Sequence, residues 1–212
     1  NSAKTLLLES PFNYAEQALL CVPRYLSEPH EQGMARQLLQ IAVRLIEANN
    51  GRCFFLFTSH RMLQMVAKQL PDLVRQPVLV QGSSGKRLLL DQFVKLDNAV
   101  LLGTGSFWEG VDVRGKLLSC VIIDKLPFAS PGDPVVAARI DAYKTRGRNP
   151  FVSYQLPGAI IAMKQGAGRL IRDESDTGVL MVCDPRLVGR PYGQLFLQSL
   201  PPMRRTRSLG EV

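Results

Sequence analysis

Residues 52–80 read RCFFLFTSHRMLQMVAKQLPDLVRQPVLV and contain two apolar runs on either side of a stretch with helical spacing. The runs, Arg52–Thr58 and Val78–Val80, have the apolar and β-branched composition of strands that are covered on both faces. Ser59–Gln69 lies between them and carries apolar residues at the helical period. A strand, a helix and a second strand in this order predict parallel strands joined by a helical crossover.

The same alternation continues towards both ends of the chain. Further strands are predicted at Thr5–Leu8, Ala99–Leu102, Ser119–Asp124 and Gly178–Cys183. Further helices are predicted from Met34 to Ala48, before a stop at Gly51, and at Lys86–Leu96, Val135–Tyr143 and Pro157–Leu170. The sequence therefore predicts an α/β fold with a mainly parallel sheet covered by helices on both faces.

Length and composition predict one globular domain. The chain has 212 residues, of which 46% are hydrophobic and 21% charged, and it contains no internal repeat or linker. We expect a core at about residues 4–202 and a basic tail at 203–212, which carries Arg204, Arg205 and Arg207. Because the first residue is Asn1 rather than Met, we expect an excised fragment or a processed product.

Charge and cysteine usage narrow the classes of partner. The net charge of +8 favours a polyanion such as nucleic acid. No apolar run approaches the roughly 20 residues that span a bilayer, so no membrane partner is predicted. The cysteines, Cys21, Cys53, Cys120 and Cys183, form no CxxC pair, and most lie in apolar runs. They are interpreted as buried residues of a reducing cytosol, and no metal ligand is predicted in this chain.

Ligands of parallel sheets bind beyond the carboxyl ends of the strands. Thr58, Gln81, Gly103 and Lys125 each follow a predicted strand, so they are expected at one edge, here called the carboxyl edge. Two glycine-rich segments at this edge do not meet known phosphate motifs. Val80 and Arg87 occupy the first glycine and the hydroxyl positions of a GxxxxGK[ST] loop, and Trp108 replaces the third glycine of GxGxxG.

The first candidate segment, Thr104–Asp112, reads TGSFWEGVD and follows a predicted strand. Its glycines allow the main chain to approach a bound group closely. The carboxylates of Glu109 and Asp112 could accept hydrogen bonds from a ribose, and the hydroxyls of Thr104 and Ser106 suit a phosphate. The alternative is a polar turn that binds no ligand.

The second candidate segment, Gln165–Arg172, reads QGAGRLIR. On a continuous helix Gln165, Arg169 and Arg172 would share one face, while Leu170 and Ile171 would turn inward. Two guanidinium groups on one face repel each other unless an anion lies between them, and arginine binds phosphate through two parallel hydrogen bonds. An arginine that reaches a transferring phosphate can contribute ~10³–10⁵ in rate. The alternative is a solvent-exposed basic face paired with the acidic residues that follow.

These segments also resemble known helicase motifs. Thr104–Asp112 resembles motif V, Gln165–Arg172 resembles the QxxGRxIR form of motif VI, and Phe57-Thr58-Ser59 resembles motif IV. Two further segments, Leu126-Pro-Phe128 and Glu9-Ser-Pro-Phe12, occur in the same order in one group of these helicases. The chain is thereby similar, over roughly Lys4 to Pro202, to the XPD/DinG-like iron–sulfur superfamily-two DNA helicases.

The resemblance implies an ATP-dependent 5′–3′ DNA helicase, an ATP hydrolase of DNA repair or replication. ATP and Mg²⁺ would bind between two RecA-like domains of the P-loop NTPase fold. The first would supply the Walker loop and a [4Fe–4S] cluster, neither of which is present in this chain. The chain would be the second domain, inactive alone. Its implied partners are single-stranded DNA, the first domain of the same polypeptide, and replication or repair proteins, in a monomer of the bacterial cytoplasm and nucleoid.

Roles for individual residues follow from matching the motifs. Glu109, Gly110 and Asp112 would contact the nucleotide; Gln165, Arg169 and Arg172 would reach its phosphates; and Thr58, Ser59, Thr104 and Ser106 would contact the DNA backbone. Arg172 is the predicted arginine finger. Trp108 or Phe128 could stack on a base, although a core position is favoured for Phe128. The alternative function is a non-catalytic RecA-like module that docks DNA or a protein.

Overall fold

The computed structural model describes residues 10–29, 31, 33–107, 113 and 117–212. Within these residues one sheet contains seven strands, and every pairing is parallel. Its spatial order is β3-β4-β2-β5-β6-β1-β7. The strands are β1 Ala18–Cys21, β2 Cys53–Leu56, β3 Val78–Val80, β4 Val100–Gly103, β5 Cys120–Ile123, β6 Gly178–Val182 and β7 Arg204–Thr206.

Helices connect these strands. They are α1 Tyr14–Gln17, α2 Met34–Ala48, α3 His60–Gln69, α4 Lys86–Leu96, α5 Pro134–Thr145, α6 Leu156–Ala167, α7 Arg186–Gly189 and α8 Gly193–Ser199. A five-residue π-helix at Phe151–Gln155 leads directly into α6. Among the described helices, none is both long and apolar enough to cross a bilayer.

The sheet separates two apolar clusters, because successive side chains of a strand point to opposite faces. Phe55 belongs to the cluster that packs against α2 and α3. Phe54 belongs to the cluster that packs against α4, α6 and α8, and its ring lies 4.8 Å from that of Phe93. Full burial of such a side chain contributes about 1.5–3 kcal/mol. The predicted arrangement, with helices on both faces of a parallel sheet, is therefore confirmed.

Most predicted elements are confirmed, three of them with the same bounds, Met34–Ala48, Val78–Val80 and Lys86–Leu96. The predicted strand Thr5–Leu8 lies outside the described residues. Strand β1 was not predicted; it is only four residues long and follows α1 directly, with no turn between them. Strand β7 occupies part of the predicted basic tail and pairs with β1. Strand β7 is short and contains two arginines, so it has no apolar pattern. The prediction of a basic tail therefore missed this edge strand.

Candidate functional site

The parallel sheet brings the ends of β2, β4 and β5 together at the carboxyl edge, as predicted. A cleft of about 260 Å³ opens there. It is lined by Phe57, Thr58, Gly105, Pro127, Phe128, Ala129, Ser130, Ala162 and Gln165. The segments that resemble motifs IV, V and VI are therefore adjacent in space, because they contribute Thr58, Gly105 and Gln165, respectively, to one cleft.

Thr58 is held by a carboxylate that was not predicted as a site residue. Asp124 follows β5, and only 1% of its surface is exposed. Its Oδ1 atom accepts the main-chain N–H groups of Thr58 at 3.0 Å and Lys125 at 2.8 Å. Its Oδ2 atom accepts the Thr58 hydroxyl at 3.3 Å. Burial raises the pKa of Asp124 to about 7, although the Lys125 charge and the hydrogen bonds lower it. A signal existed: an acidic residue ends an otherwise apolar predicted strand.

Ser59 begins helix α3 as its N-cap. The Ser59 hydroxyl accepts the main-chain N–H of Met62 at 3.3 Å, which satisfies one of the free donors at the helix start. This geometry fixes the direction in which the chain leaves Thr58. The hydroxyl keeps its own proton for a further acceptor, so the predicted contact of Ser59 with DNA stays a prediction.

Thr104 follows β4 and is held by two polar side chains. Its main-chain N–H donates to Gln81 Oε1, and its hydroxyl lies 3.1 Å from the same oxygen and 3.3 Å from His60 Nε2. Gln81 and His60 were not predicted to orient it, although Gln81 was expected at this edge. Ser106 lies in the short 3-10 helix Gly105–Phe107, next in the chain.

The remaining predicted residues of this segment are Trp108, Glu109, Gly110 and Asp112. They lie outside the described residues. Their proposed contact with a nucleotide therefore stays a prediction.

The predicted helical face at Gln165–Arg172 is wrong. Helix α6 ends at Ala167, so Gln165 lies in its last turn whereas Arg169 and Arg172 lie in the loop that follows. Two glycines flank Ala167, and glycine is about 1 kcal/mol less favourable than alanine in a helix. The inward positions of Leu170 and Ile171 are confirmed, since both are buried.

The two arginines differ in environment within this loop. Arg169 is 7% exposed, whereas Arg172 is half-buried. The helix-face argument had given them equivalent positions. Because both side chains lie in a loop, the helical period does not set their directions. Their positions depend on the contacts that hold the loop.

The loop that carries Arg172 is held by two buried polar side chains. Asp176 Oδ2 accepts the main-chain N–H groups of Arg172 and Asp173, both at 2.9 Å. Gln17, from α1, donates through Nε2 to the carbonyl oxygens of Asp173 at 2.9 Å, Glu174 at 3.1 Å and Asp176 at 2.9 Å. Neither Gln17 nor Asp176 was predicted. Gln17 lies far from this loop in sequence, and Asp176 gains its role only because the helix ends before Arg172.

Phe128 contributes to the cleft and to an aromatic cluster beneath it. Its ring centroid lies 5.6 Å from Phe151, 5.9 Å from Tyr192 and 5.8 Å from Phe196, and the Arg186 guanidinium lies 5.8 Å above it. Phe128 is thus partly buried and packs against the core, as favoured, while it also lines the cleft.

Asp184 orders this cluster from the end of β6. The fully buried carboxylate accepts the Leu126 N–H at 2.8 Å through Oδ2, and the same oxygen lies 2.7 Å from the Arg186 guanidinium. Asp184 also raises the pKa of Arg186 through this hydrogen bond and its charge.

All four cysteines are buried and free. Burial raises the pKa of Cys21 to about 11 and the pKa of Cys53 and Cys183 well above the ordinary value. Metal binding requires the thiolate, which this burial disfavours. The part of the chain that the structure describes also contains no group of three or more His, Cys, Asp or Glu residues that could hold a metal. These cysteines do not fit an iron–sulfur cluster.

A seven-stranded parallel sheet with this polar carboxyl edge defines a RecA-like α/β domain. Two solved structures of XPD helicase share the fold, one with a TM-score of 0.65 at 18% identity over 90% of this chain and 35% of that chain. The other has a TM-score of 0.62 at 19% identity, over 92% of this chain and 40% of that chain. The predicted fold class is confirmed.

The chain belongs to the helicase C-terminal domain family, which matches residues 42–203. It is 57% identical over 210 residues to the ATP-dependent DNA helicase YoaA of Escherichia coli (strain K12), covering 99% of this chain and 33% of that protein. It is 38% identical over 205 residues to the ATP-dependent helicase DinG of Mycobacterium tuberculosis (strain ATCC 25618 / H37Rv), covering 96% and 31%. The predicted resemblance is confirmed, and the chain spans about a third of these curated relatives.

Proposed function

We propose that this chain is the second RecA-like motor domain of an ATP-dependent 5′–3′ DNA helicase of repair or replication. The names of its relatives support an ATP hydrolase that acts on DNA. The observation that carries the proposal is the shared cleft, to which Thr58, Gly105 and Gln165 all contribute. Residues from three separate motifs thus line one cleft at the edge where parallel sheets bind their ligands.

In this proposal Arg172 is the arginine finger, and Gln165 and Arg169 also reach the nucleotide phosphates. A guanidinium stabilises the negative charge that spreads over the transferring phosphoryl group. Such a group must be held still, which supports a role for the loop fixed by Gln17 and Asp176. ATP and Mg²⁺ would be bound mainly by a first RecA-like domain of the same polypeptide, with Glu109, Gly110 and Asp112 contacting the nucleotide from this chain.

The same edge would hold the backbone of single-stranded DNA through Thr58, Ser59, Thr104 and Ser106. Hydroxyl and main-chain donors read phosphate rather than bases, so binding would be independent of sequence and sensitive to salt. The net charge of +8 favours the same partner. The arginines would draw the two domains together when ATP is bound and release them after hydrolysis. Alternating closure of two domains on one strand would give directional stepping.

The remaining parts of the machine would lie outside this chain. A [4Fe–4S] cluster would belong to the first domain, because the buried cysteines here do not fit one. The chain alone would hydrolyse ATP negligibly. The full protein would act as a monomer in the bacterial cytoplasm at the nucleoid, alone or with replication and repair proteins.

The decisive experiment is Arg172→Ala in the full-length protein. We expect DNA-stimulated ATP turnover to fall by ~10³-fold or more, as for other arginine fingers, while single-stranded DNA binding changes little. Arg148→Ala, an exposed arginine beyond α5, is the matched control for charge. Unchanged turnover in Arg172→Ala would favour the alternative, a non-catalytic module that docks DNA or a protein.

A further inference from the structure

We propose that Asp124 is a positioning residue whose protonation frees the Thr58 hydroxyl to donate to a DNA phosphate, so that DNA binding takes up a proton at Asp124. The inference rests on the proposed contact between Thr58 and the DNA backbone. At that contact, the buried carboxyl group of Asp124 would control the direction in which the Thr58 hydroxyl donates its hydrogen bond.

The first step concerns the number of protons available. An ionised carboxylate can only accept hydrogen bonds, and a threonine hydroxyl has one proton to donate. Because Thr58 Oγ1 lies 3.3 Å from Asp124 Oδ2, the ionised carboxylate takes that proton. Thr58 then presents only lone pairs to the cleft. A phosphate oxygen is also an acceptor, so it gains no hydrogen bond from this hydroxyl.

The second step concerns the protonated acid. Asp124 Oδ1 already accepts two main-chain N–H groups, those of Thr58 and Lys125, so the added proton belongs on Oδ2. From Oδ2 it donates to Thr58 Oγ1, and the hydroxyl proton of Thr58 can turn into the cleft towards a phosphate. One proton enters from solvent for each contact formed, and no covalent bond changes apart from the new O–H bond.

The surroundings of Asp124 make this proton accessible near neutral pH. Burial raises its pKa to about 7, so both forms are populated there. Lys125, on its own loop, is the charged group that acts on it. Cys183, beside it at the end of β6, has a pKa well above the ordinary value and stays neutral. A bound phosphate would add negative charge close to Asp124 and favour the protonated acid further.

The sheet also fixes the position of Thr58 relative to Asp124. Strands β2 and β5 are neighbours, with Leu56 opposite Ile123, so Thr58 and Asp124 follow the ends of two adjacent strands. The Asp124 N–H donates to the Leu56 carbonyl at 3.1 Å and fixes the pair further. Thr58 lines the cleft and is half-buried, and its hydroxyl contacts the buried carboxyl group.

The test measures binding of an oligothymidylate to the full-length protein by fluorescence anisotropy, without nucleotide and at constant ionic strength. From about pH 6 to pH 8.5 the wild-type Kd should rise, approaching tenfold per pH unit for one linked proton. Asp124→Asn should show a flatter profile, because its amide donates to Thr58 Oγ1 at every pH while its carbonyl keeps the main-chain contacts. Asp133→Asn makes the same exchange at an exposed carboxyl group at the start of α5 and should keep the wild-type slope.

A second measurement counts the proton directly. Calorimetric titration near pH 7, in two buffers of different ionisation enthalpy, should show uptake of about half a proton by the wild type, as expected when pKa and pH coincide. Asp124→Asn should lose this uptake, and Thr58→Val should reduce it, because the phosphate charge still acts on Asp124. Thr58→Val should also bind the oligothymidylate more weakly than wild type at pH 6.

The outcomes separate the inference from the proposed function. Equal pH profiles for wild type and Asp124→Asn, or no proton uptake that depends on Thr58, would overturn the inference. If Thr58→Val binds DNA as tightly as wild type at every pH, the proposed DNA contact itself fails. Should Asp124→Asn not fold, the calorimetric comparison of wild type with Thr58→Val decides alone.

Discussion

The carboxylate of Asp176 accepts the main-chain N–H of Arg172 at 2.9 Å, from a position that is only 3% exposed. The same oxygen accepts the N–H of Asp173 at 2.9 Å, and Gln17 holds three carbonyl groups of the loop from the other side. An arginine after a helix end would otherwise sample many main-chain conformations. Fixing the main chain of one residue in a single conformation costs about 1–2 kcal/mol of entropy. The buried contacts supply that order before any ligand binds.

Asp176→Ala in the full-length protein should therefore lower ATP turnover through Arg172. A hydrogen bond to a charged group contributes about 1.5–3 kcal/mol, so we expect a loss of roughly tenfold to a hundredfold in kcat. Single-stranded DNA affinity should change by less than about twofold, within the ordinary spread of surface variants. Steady-state ATPase assays and DNA binding by anisotropy measure the two effects.

Asp173→Ala is the matched control for this prediction. The Asp173 side chain is exposed and accepts hydrogen bonds only from Ser175 among the described contacts, through its N–H at 3.1 Å and its hydroxyl at 3.3 Å. Turnover should stay near wild type. In the background of Arg172→Ala, Asp176→Ala should add little further loss, because it acts through that arginine. Additive losses would assign Asp176 a structural role alone.

Asp124 predicts a specific dependence of stability on pH. Its folded pKa of about 7 lies above the ordinary 3.8, so the folded state binds the proton more tightly than the unfolded chain. The resulting stability is fully present below pH 3.8 and is lost as pH rises through 7. Three pKa units correspond to about 4 kcal/mol at most.

Urea unfolding of the chain between pH 5 and pH 8 measures this effect. The wild type should lose part of its unfolding free energy across that window, and Asp124→Asn should lose less, since its amide does not titrate. Asp133→Asn serves as the control, because the Asp133 carboxylate caps α5 at an exposed position. Parallel curves for wild type and Asp124→Asn would contradict the predicted pKa.

Sequence patterns predicted most of the sheet because its central strands are apolar on both faces. Local rules detect the continuous apolar run of strand β2 and the helical period of α4. Strand β7 escaped them, since Arg204 and Arg205 gain their place only by pairing with Leu19 and Leu20 of β1. A pairing between the two ends of the chain leaves no local trace.

The site was predictable at the level of motifs but not of their support. Thr58 and Gln165 were predicted and meet in one cleft. Asp124, Asp176 and Gln17, which hold the motif residues, were missed. Asp124 and Gln17 act across a large separation in sequence, whereas Asp176 lies four residues after Arg172 in a segment that was interpreted as following a helix. The end of α6 at Ala167 was also missed. Helical spacing could not reveal that Leu170 leaves the helix to pack against Gly178.

Ser59 offers a way to separate a helix cap from a DNA contact. Ser59→Ala removes the oxygen that accepts the Met62 N–H and should lower the unfolding free energy by about 1 kcal/mol. Ser59→Asp keeps a good cap and should retain stability, but its charge should weaken DNA binding through repulsion of phosphate. Thermal unfolding and oligothymidylate anisotropy distinguish the two variants. If Ser59→Asp binds DNA as tightly as wild type, Ser59 lies away from the DNA path.

Gly51 tests the connection between helix α2 and strand β2. Its N–H donates to the Ile46 carbonyl at 2.7 Å and its φ is +77°, as at a helix end that reverses the chain. A Cβ atom at Gly51 would overlap the main-chain carbonyl of Asn98, which cannot move without disturbing the start of β4. Gly147 has a φ of +66° with open space around it, so Gly147→Ala adds only the backbone strain, about 1–2 kcal/mol.

Gly51→Ala should cost the same strain plus the overlap, and its unfolding free energy should fall clearly below that of Gly147→Ala in urea titrations. Equal losses for the two variants would mean that Asn98 can withdraw and that the chain reversal does not fix the spacing of β2 and β4.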